Sequence, residues 1–213
     1  MKNFIYILLI APLFIISSCE EEAIHGCLDS QACNYNPEAT LDNNSCEYVS
    51  EGYDCGQIYI GLKTEGGIVF YVDETGQHGL VAAMVDLGQF DWGCYGTELS
   101  EAGGMVIGTG YQNTLDIVAG CSETPIAASE ALAYEYEGYS DWYLPSLDEL
   151  VEMYATIRNF GLQGNNIGGF ESSWYWSSSE YDNDSAWYVN FSNGDTNAIS
   201  KLNTGRVRVI RAF

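Results

Sequence analysis

The sequence predicts an α+β fold, because helical patterns occupy the middle of the chain and strand patterns lie on both sides of it. Residues 66–84 contain two stretches rich in β-branched and aromatic residues around a polar turn, which predicts a hairpin. Ser146 and Glu149 form a capping box before apolar residues at helical spacing, which predicts a helix. Residues 173–212 return to the strand pattern.

The composition is that of a folded but strongly acidic protein. Of the 213 residues, 46% are hydrophobic and 17% are charged, which allows a sizeable core. Thirty acidic residues against seven basic ones give a net charge of −23. A field of that sign repels phosphate backbones and anionic membrane surfaces, so nucleic acid is excluded as a main partner.

The N-terminus predicts export. An apolar run at residues 4–16 follows Lys2 and precedes small residues, which is typical of a signal peptide over 1–18 and too short for a spanning helix. Residues 16–19 resemble the bacterial lipobox, which implies that Cys19 carries lipid. The membrane is then the protein's partner, and the lipid anchors the protein to it. The alternative is an ordinary secretory signal with a Cys near its cleavage point.

An acidic run, residues 20–22, follows the lipidation site. It resembles the surface-export signal of some Gram-negative lipoproteins, and a solvated tether is the alternative. We therefore expect an outer-membrane protein at the cell surface, anchored without crossing the bilayer.

Six further cysteines predict disulfides, because their number is even and exported thiols oxidise. Four lie within residues 27–55 and two lie downstream, so a division into four and two is expected among the fifteen arrangements: Cys27, Cys33, Cys46, Cys55, Cys94 and Cys121. A bond between Cys94 and Cys121 would contribute about 3 kcal/mol by loop closure. The spacings are not those of Cys-x-x-Cys metal pairs.

Residues 26–46 have few apolar side chains, so this segment needs disulfide bonds to hold its fold. The segment resembles a short Cys-rich, Asn/Asp-rich module of secreted surface proteins from gliding bacteria. That resemblance implies a Cys27–Cys46 bond, which leaves Cys33 for Cys55. We therefore expect a tether and module over 19–57 and one domain over 58–213.

The same module carries oxygen-bearing side chains at the close spacing of a Ca²⁺ loop, and it is similar to thrombospondin type 3 repeats. The alternative is that they make turns, which is favoured because no bidentate Glu closes the set. No cofactor other than Ca²⁺ is expected. The candidate ligands are Asp29, Asn34, Asn36, Asp42 and Asn44.

Within the large domain the elements follow in order. After the hairpin, residues 113–119 and 125–136 predict two helices, the second with Pro125 in its first turn. The helix after Ser146 presents Asp148, Glu149 and Glu152, which we interpret as a solvated face near its N-terminus. Strands are then predicted over 173–181, 185–191, 198–202 and 206–212.

Four ordered blocks in the large domain carry a family resemblance. They begin at Trp142, Tyr175, Ala186 and Val207, and read W-Y-L-P-S-x-x-E-L, Y-W-S-S-S-E, A-W-Y-V-N-F and V-R-V-I-R-A-F. Over about residues 65–213 the chain resembles the Lcl C-terminal domain family, which caps a collagen-like bacterial adhesin. The order of the blocks is also similar to the formylglycine-generating branch of C-type-lectin-like folds, which implies that architecture.

The resemblance transfers neither enzymatic activity nor ligand. No Cys follows Cys121, so the thiols with which such an enzyme holds its metal are missing. The adhesin relative is implied to bind sulfated glycosaminoglycans, which requires a basic surface that this chain lacks.

Aromatic and acidic residues near the C-terminus suggest a ligand site. Aromatic rings suit the C–H faces of sugars, although alternating aromatics in strands are typical of a core. The acids suit Ca²⁺ or sugar hydroxyls at a loop tip, and a turn is the alternative. The candidate ligand-binding residues are Trp142, Tyr175, Glu180, Tyr181, Asp182, Asp184 and Trp187. Arg206, Arg208 and Arg211 are expected to pair with carboxylates.

The sequence therefore predicts a cell-envelope lipoprotein with a non-enzymatic binding or adhesion domain for a surface glycan or protein. The alternatives are a purely structural envelope protein and a hydrolase with paired carboxylates. The chain contains no G-x-S-x-G, H-E-x-x-H or phosphate-loop motif, and we predict no catalytic residue.

Overall fold

The computed structural model describes residues 22–49, 52–159 and 164–213. The chain forms two compact units, Met1–Gly56 and Gln57–Phe213. The predicted signal peptide and the lipidation site Cys19 lie outside the described residues. In the part of the chain that the structure describes, none of the helices combines the length and the apolar character that a membrane crossing requires.

Disulfides hold the first unit together. Strands β1 (His25–Gly26) and β2 (Leu41–Asp42) form a short parallel pair. Of the apolar side chains described in this unit, only Cys27 and Ala32 are buried, so its core is minimal. Bonds join Cys27 to Cys46 and Cys33 to Cys55, the same pairs that the module resemblance implies.

Three of the side chains proposed as Ca²⁺ ligands in this unit make local turns, and a fourth bonds to a more distant segment. Asp29 Oδ1 accepts the N–H of Gln31 at 2.9 Å, and Asp42 Oδ1 accepts that of Asn44 at 2.9 Å. Asn36 acts in the same way on Glu38, while Asn34 Oδ1 accepts the N–H of Glu47. These bonds support the turn interpretation, and Ca²⁺ binding stays a prediction.

The described residues of the second unit form two sheets and three short α-helices. A four-stranded sheet has the order β11-β5-β4-β3, and a five-stranded sheet has the order β6-β10-β7-β8-β9. The strands are β3 Lys63–Thr64, β4 Gly67–Val72, β5 Gly79–Ala83, β6 Gly88–Asp91, β7 Trp174–Glu180, β8 Ser185–Asn190, β9 Thr196–Ser200, β10 Thr204–Val207 and β11 Ile210–Ala212. Neighbours pair antiparallel except β10 and β7, which are parallel. The fold is therefore β-rich.

The helices lie where the sequence predicts them. They are α1 Gly110–Gly120, α2 Ala127–Ala133 and α3 Leu147–Met153, and α3 continues as a π-helical turn, Tyr154–Arg158. A disulfide joins Cys94 to Cys121, which directly follows α1. Ser146 Oγ accepts the N–H of Glu149, and Glu149 Oε2 accepts the N–H of Ser146 at 2.7 Å, so the capping box is closed.

Strand β7 separates two hydrophobic clusters because its side chains alternate. Trp176 packs with Trp92, Trp142 and Ile117 in one cluster. Tyr175 points the other way and joins the second cluster, whose further members include Phe70, Leu150 and Phe191. The buried indole N–H groups donate to backbone carbonyls, as Trp92 does to Ser177 at 2.8 Å.

Three expectations need correction. Glu149 is fully buried rather than solvated, because it caps α3 and also accepts the N–H of Gly108 at 2.8 Å. The single strand expected over 206–212 is divided between two sheets, since the chain turns at Arg208 and Val209. Strand β6 was not expected, because a four-residue segment with one aromatic residue carries little strand signal.

Candidate functional site

The sequence-predicted ligand residues separate into a buried group and an exposed group. Trp142 and Tyr175 are completely buried, and the Tyr175 hydroxyl donates to Asp86 Oδ2 at 2.8 Å. Glu180 is buried as well, and its carboxylate accepts a bond from Lys201 Nζ at 2.6 Å. These three side chains are part of the buried interior, so their assignment to a surface ligand site is corrected.

The other four residues lie together at the hairpin between β7 and β8. Tyr181 is 58% exposed, and its ring meets the half-buried Trp187 edge-on at 5.1 Å between centroids. Asp182 Oδ1 accepts the N–H of Asp184 at 2.9 Å, which is the bond of a turn. This hairpin tip, residues 181–187, is a candidate site with one exposed ring.

A second and deeper site lies between two tight turns. Glu65 and Gly66 connect β3 to β4, and Glu137 and Gly138 connect Tyr136 to Tyr139. All four turn residues have positive φ, between 51° and 85°. Two-residue hairpin turns require this conformation. Gly adopts it without steric cost, whereas other residues adopt it uncommonly.

Two adjoining cavities open beside these turns. One, of 490 Å³, is lined by residues 135–140. The other, of 320 Å³, lies against Lys63–Gly67, Met84, Tyr136 and Glu137, so the two share Tyr136 and Glu137. We call this concave surface, formed by residues 63–67 and 135–140, the tyrosine groove.

Two tyrosines, Tyr136 and Tyr139, line the groove, and Tyr134 packs behind them. Tyr134 and Tyr136 stack with 9° between their planes and 6.4 Å between their centroids, and 38% of Tyr136 is exposed. The Tyr139 hydroxyl donates to Glu65 Oε2 at 3.0 Å, and the Arg211 guanidinium lies 3.9 Å from the centre of its ring. These bonds hold Tyr139 in place.

Arg211 fixes the acidic side of the groove. Its Nε donates to Asp141 Oδ1 at 2.8 Å, and its Nη1 donates to Glu65 Oε2 at 3.2 Å. The hydrogen bond from Arg211 lowers the pKa of Asp141 below its ordinary value of 3.8. Burial by itself would lower the pKa of Arg211, and its bonds to Asp141 and Glu65 outweigh that effect and raise it. The expected pairing of the C-terminal arginines with carboxylates is confirmed here.

The remaining acids of the groove stay open to solvent. Glu135 and Glu137 are exposed. A hydrogen bond between Tyr136 and Glu137 raises the pKa of this tyrosine, and one between Tyr139 and Glu65 raises that of the other. The groove therefore offers ring faces beside carboxylate oxygens, a combination that can stack on a ligand and accept its hydroxyl hydrogens.

No metal centre emerges from the described residues. Their one metal-like group is Cys94, Cys121 and Glu123, and its two sulfurs are bonded to each other. The two buried carboxylates among them, Glu149 and Glu180, each accept bonds that support the fold.

Comparison with known proteins agrees with the resemblance in the sequence. The model of the Lcl C-terminal domain matches residues 91–211, more than half of the chain. The chain belongs to the Lcl C-terminal domain family. The matched residues include α1 to α3, the hairpin tip and the groove turn at Glu137 and Gly138. The groove turn at Glu65 and Gly66 precedes the matched residues.

One solved structure similar to this Lcl C-terminal domain protein is a fimbrial protein from Bacteroides ovatus, at 19% identity and a TM-score of 0.47. The similarity covers 68% of this chain and 43% of the fimbrial protein, so the chain spans less than half the length of that relative. No curated protein is similar enough to count as a match.

Sequence reasoning missed the tyrosine groove. Its two turns are 72 residues apart, and only the fold brings Glu65 and Glu137 to one surface. The local signal is the repeated Glu-Gly pair, which places an acidic residue at a turn position that usually holds Asn, Asp or Gly.

Proposed function

We propose that this protein is a lipid-anchored, non-enzymatic adhesion protein of the cell surface, whose Lcl C-terminal domain binds a glycan in the tyrosine groove. The observation that carries this proposal is the concave surface where Tyr136 and Tyr139 adjoin Glu65 and Glu137. Aromatic faces suit the apolar faces of pyranose rings, and carboxylates accept their hydroxyl groups. The family supports it as well, because the Lcl domain caps a bacterial adhesin.

The acidity of the groove selects the class of glycan. Glu65, Glu135 and Glu137 line it, against Lys63 and the Arg211 that pairs with Glu65. Sulfated chains are repelled by such a field, whereas neutral and amino sugars are not. The expected ligands are therefore uncharged or cationic glycans.

A glycan array tests this function and separates the groove from the hairpin tip. The wild-type protein should bind neutral or amino sugars, with and without Ca²⁺. Tyr136→Ala should lose the signal, whereas Tyr181→Ala, which removes another exposed ring, should keep it. Binding that is lost only with Tyr181→Ala assigns the ligand to the hairpin tip, and silence toward every glycan contradicts the proposal.

A purely structural role is the second candidate, because Trp142 and Trp176 are completely buried and belong to the core. Under this role the wild-type protein binds no glycan or surface protein. Deletion of the protein would then weaken the envelope without changing adhesion.

The anchor is a proposal of its own, supported by the lipobox at residues 16–19. Metabolic labelling with an alkyne fatty acid should mark the wild-type protein in the membrane fraction, and Cys19→Ser should remove the label. Label that persists in Cys19→Ser contradicts the anchor.

We also propose a C-type-lectin-like architecture for the second unit. The order of its four sequence blocks supports it, as do three helices placed between the β-rich ends of the unit. An experimental structure that superposes poorly on such domains would contradict it.

A further inference from the structure

A fully buried ion pair joins the end of β7 to the turn after β9. Lys201 Nζ lies 2.6 Å from Glu180 Oε1, and the two side chains are 0% and 5% exposed. The ring of Trp92, itself buried, covers Nζ at 4.8 Å from its centroid. Water is therefore kept away from both groups.

The hydrogen-bonding groups around the pair match those that an amide needs. An ammonium has three donors and a carboxylate has about four acceptor positions. Within the described residues, Nζ has two oxygen partners, Glu180 and the Thr97 carbonyl at 2.9 Å. The second donor to the carboxylate is the Leu99 N–H, 2.9 Å from each oxygen. An amide needs one acceptor for its N–H and one donor for its C=O, and Thr97 and Leu99 supply them.

We propose that Lys201 and Glu180 condense into an intramolecular isopeptide bond. The ammonium first passes a proton to the carboxylate, which leaves a neutral amine beside a neutral acid. The amine lone pair then attacks Cδ of Glu180, and an N–C bond forms. One C–O bond breaks, and that oxygen leaves as water with two hydrogens that came from the ammonium. The step changes no oxidation state and needs no co-reactant.

The site assists each stage of this reaction. Burial holds the amine and the carboxyl group together in surroundings from which water is excluded. The Leu99 N–H points at both carboxyl oxygens and stabilises the negative charge that develops on the one that stays. The Thr97 carbonyl orients the nitrogen, and its contact persists in the amide.

The bond closes a covalent ring through β8 and β9. Glu180 ends β7, and Lys201 follows β9, so both strands and the hairpin tip lie inside the ring. A surface protein under pulling force gains from such a link, because the hairpin cannot be drawn out while the bond holds. This inference does not depend on the ligand of the tyrosine groove.

Tryptic mapping of the purified full chain tests the proposal. An amide at Lys201 blocks cleavage there, so the expected product is peptide 159–206, lighter than its sequence mass by one water. Fragmentation should place the loss between Glu180 and Lys201. Lys201→Arg keeps a cation but offers no amine, so it should give peptides 159–201 and 202–206 at full mass.

The mass of the wild-type peptide decides the outcome. Full mass at residues 159–201, in protein that unfolds cooperatively, shows an ordinary ion pair and overturns the proposal. A loss of water that also occurs in Lys201→Arg, or that maps to other residues, overturns it as well.

Discussion

Arg208 and Arg206 provide a matched test of how burial sets the strength of an ion pair, because both bind the carboxylate of Asp86. Arg208 is 1% exposed, and its Nε donates to Asp86 Oδ1 at 2.6 Å. Its Nη1 also donates to the carbonyls of Ala83 and Gly168, at 2.8 and 2.9 Å. Arg206 makes one 3.2 Å contact and is 26% exposed.

Replacement of each arginine by Met should therefore have unequal effects. Arg208→Met leaves buried carbonyls and part of a buried carboxylate unpaired, which costs about 3–5 kcal/mol. In a domain of this size that lowers Tm by about 10 °C. Arg206→Met removes a partly solvated pair worth about 0–1 kcal/mol, or roughly 3 °C at most.

Thermal unfolding followed by circular dichroism measures both shifts, with urea titration as a second readout. The slope of the urea transition should stay unchanged, so that the difference reports stability alone. Equal Tm losses in the two variants would refute the reasoning, because the two arginines differ in burial and in their carbonyl contacts but not in their acidic partner.

Three further changes should alter stability in predictable ways. Ser146→Ala opens the capping box of α3 and should cost about 1 kcal/mol in urea unfolding; no change would contradict a closed cap. Mutation of both Cys94 and Cys121 to Ser should cost roughly 3 kcal/mol by loop closure, and an unchanged transition midpoint would contradict the bond. Asp141 has a lowered pKa in the folded state, so its bond to Arg211 stabilises the fold above pH 3.8 and fades as the pH falls through that lowered pKa. Asp141→Asn should flatten this acid limb by less than about 1 kcal/mol because the carboxylate is 55% exposed, and an identical acid profile would contradict the shift.

Local patterns predicted the helices well because the signals that start and stop a helix are local. The capping box at Ser146 and Glu149 marks the start of α3 within one residue. The hairpin of β4 and β5 was readable for the same reason, since a polar turn lies between two strand patterns.

Burial of charged residues was not predictable from the same patterns. Glu149 occupies a position that is exposed on most helices, and its burial depends on the loop at Gly108, which contacts it only in the folded chain. The sequence pattern places Glu180 at an exposed tip, and its partner Lys201 lies 21 residues further on. Only tertiary contacts decide which acids of so acidic a chain enter the core.

The candidate site shows the same limit. The exposed hairpin tip around Tyr181 was predicted, because a turn between two strands is a local feature. The tyrosine groove was not, since its turns come together only through the arrangement of β3, β4 and the segment after α2. The spacing of the two turns along the chain does not reveal that they lie side by side in the fold.

Calorimetric titration of the strongest array ligand into wild-type protein, Tyr136→Ala and Tyr181→Ala tests recognition in the tyrosine groove most directly. Loss of one stacking ring is worth about 1.5 kcal/mol, so Tyr136→Ala should weaken Kd roughly tenfold while Tyr181→Ala leaves it unchanged. A Kd that Tyr136→Ala does not change, or that only Tyr181→Ala weakens, would contradict the account.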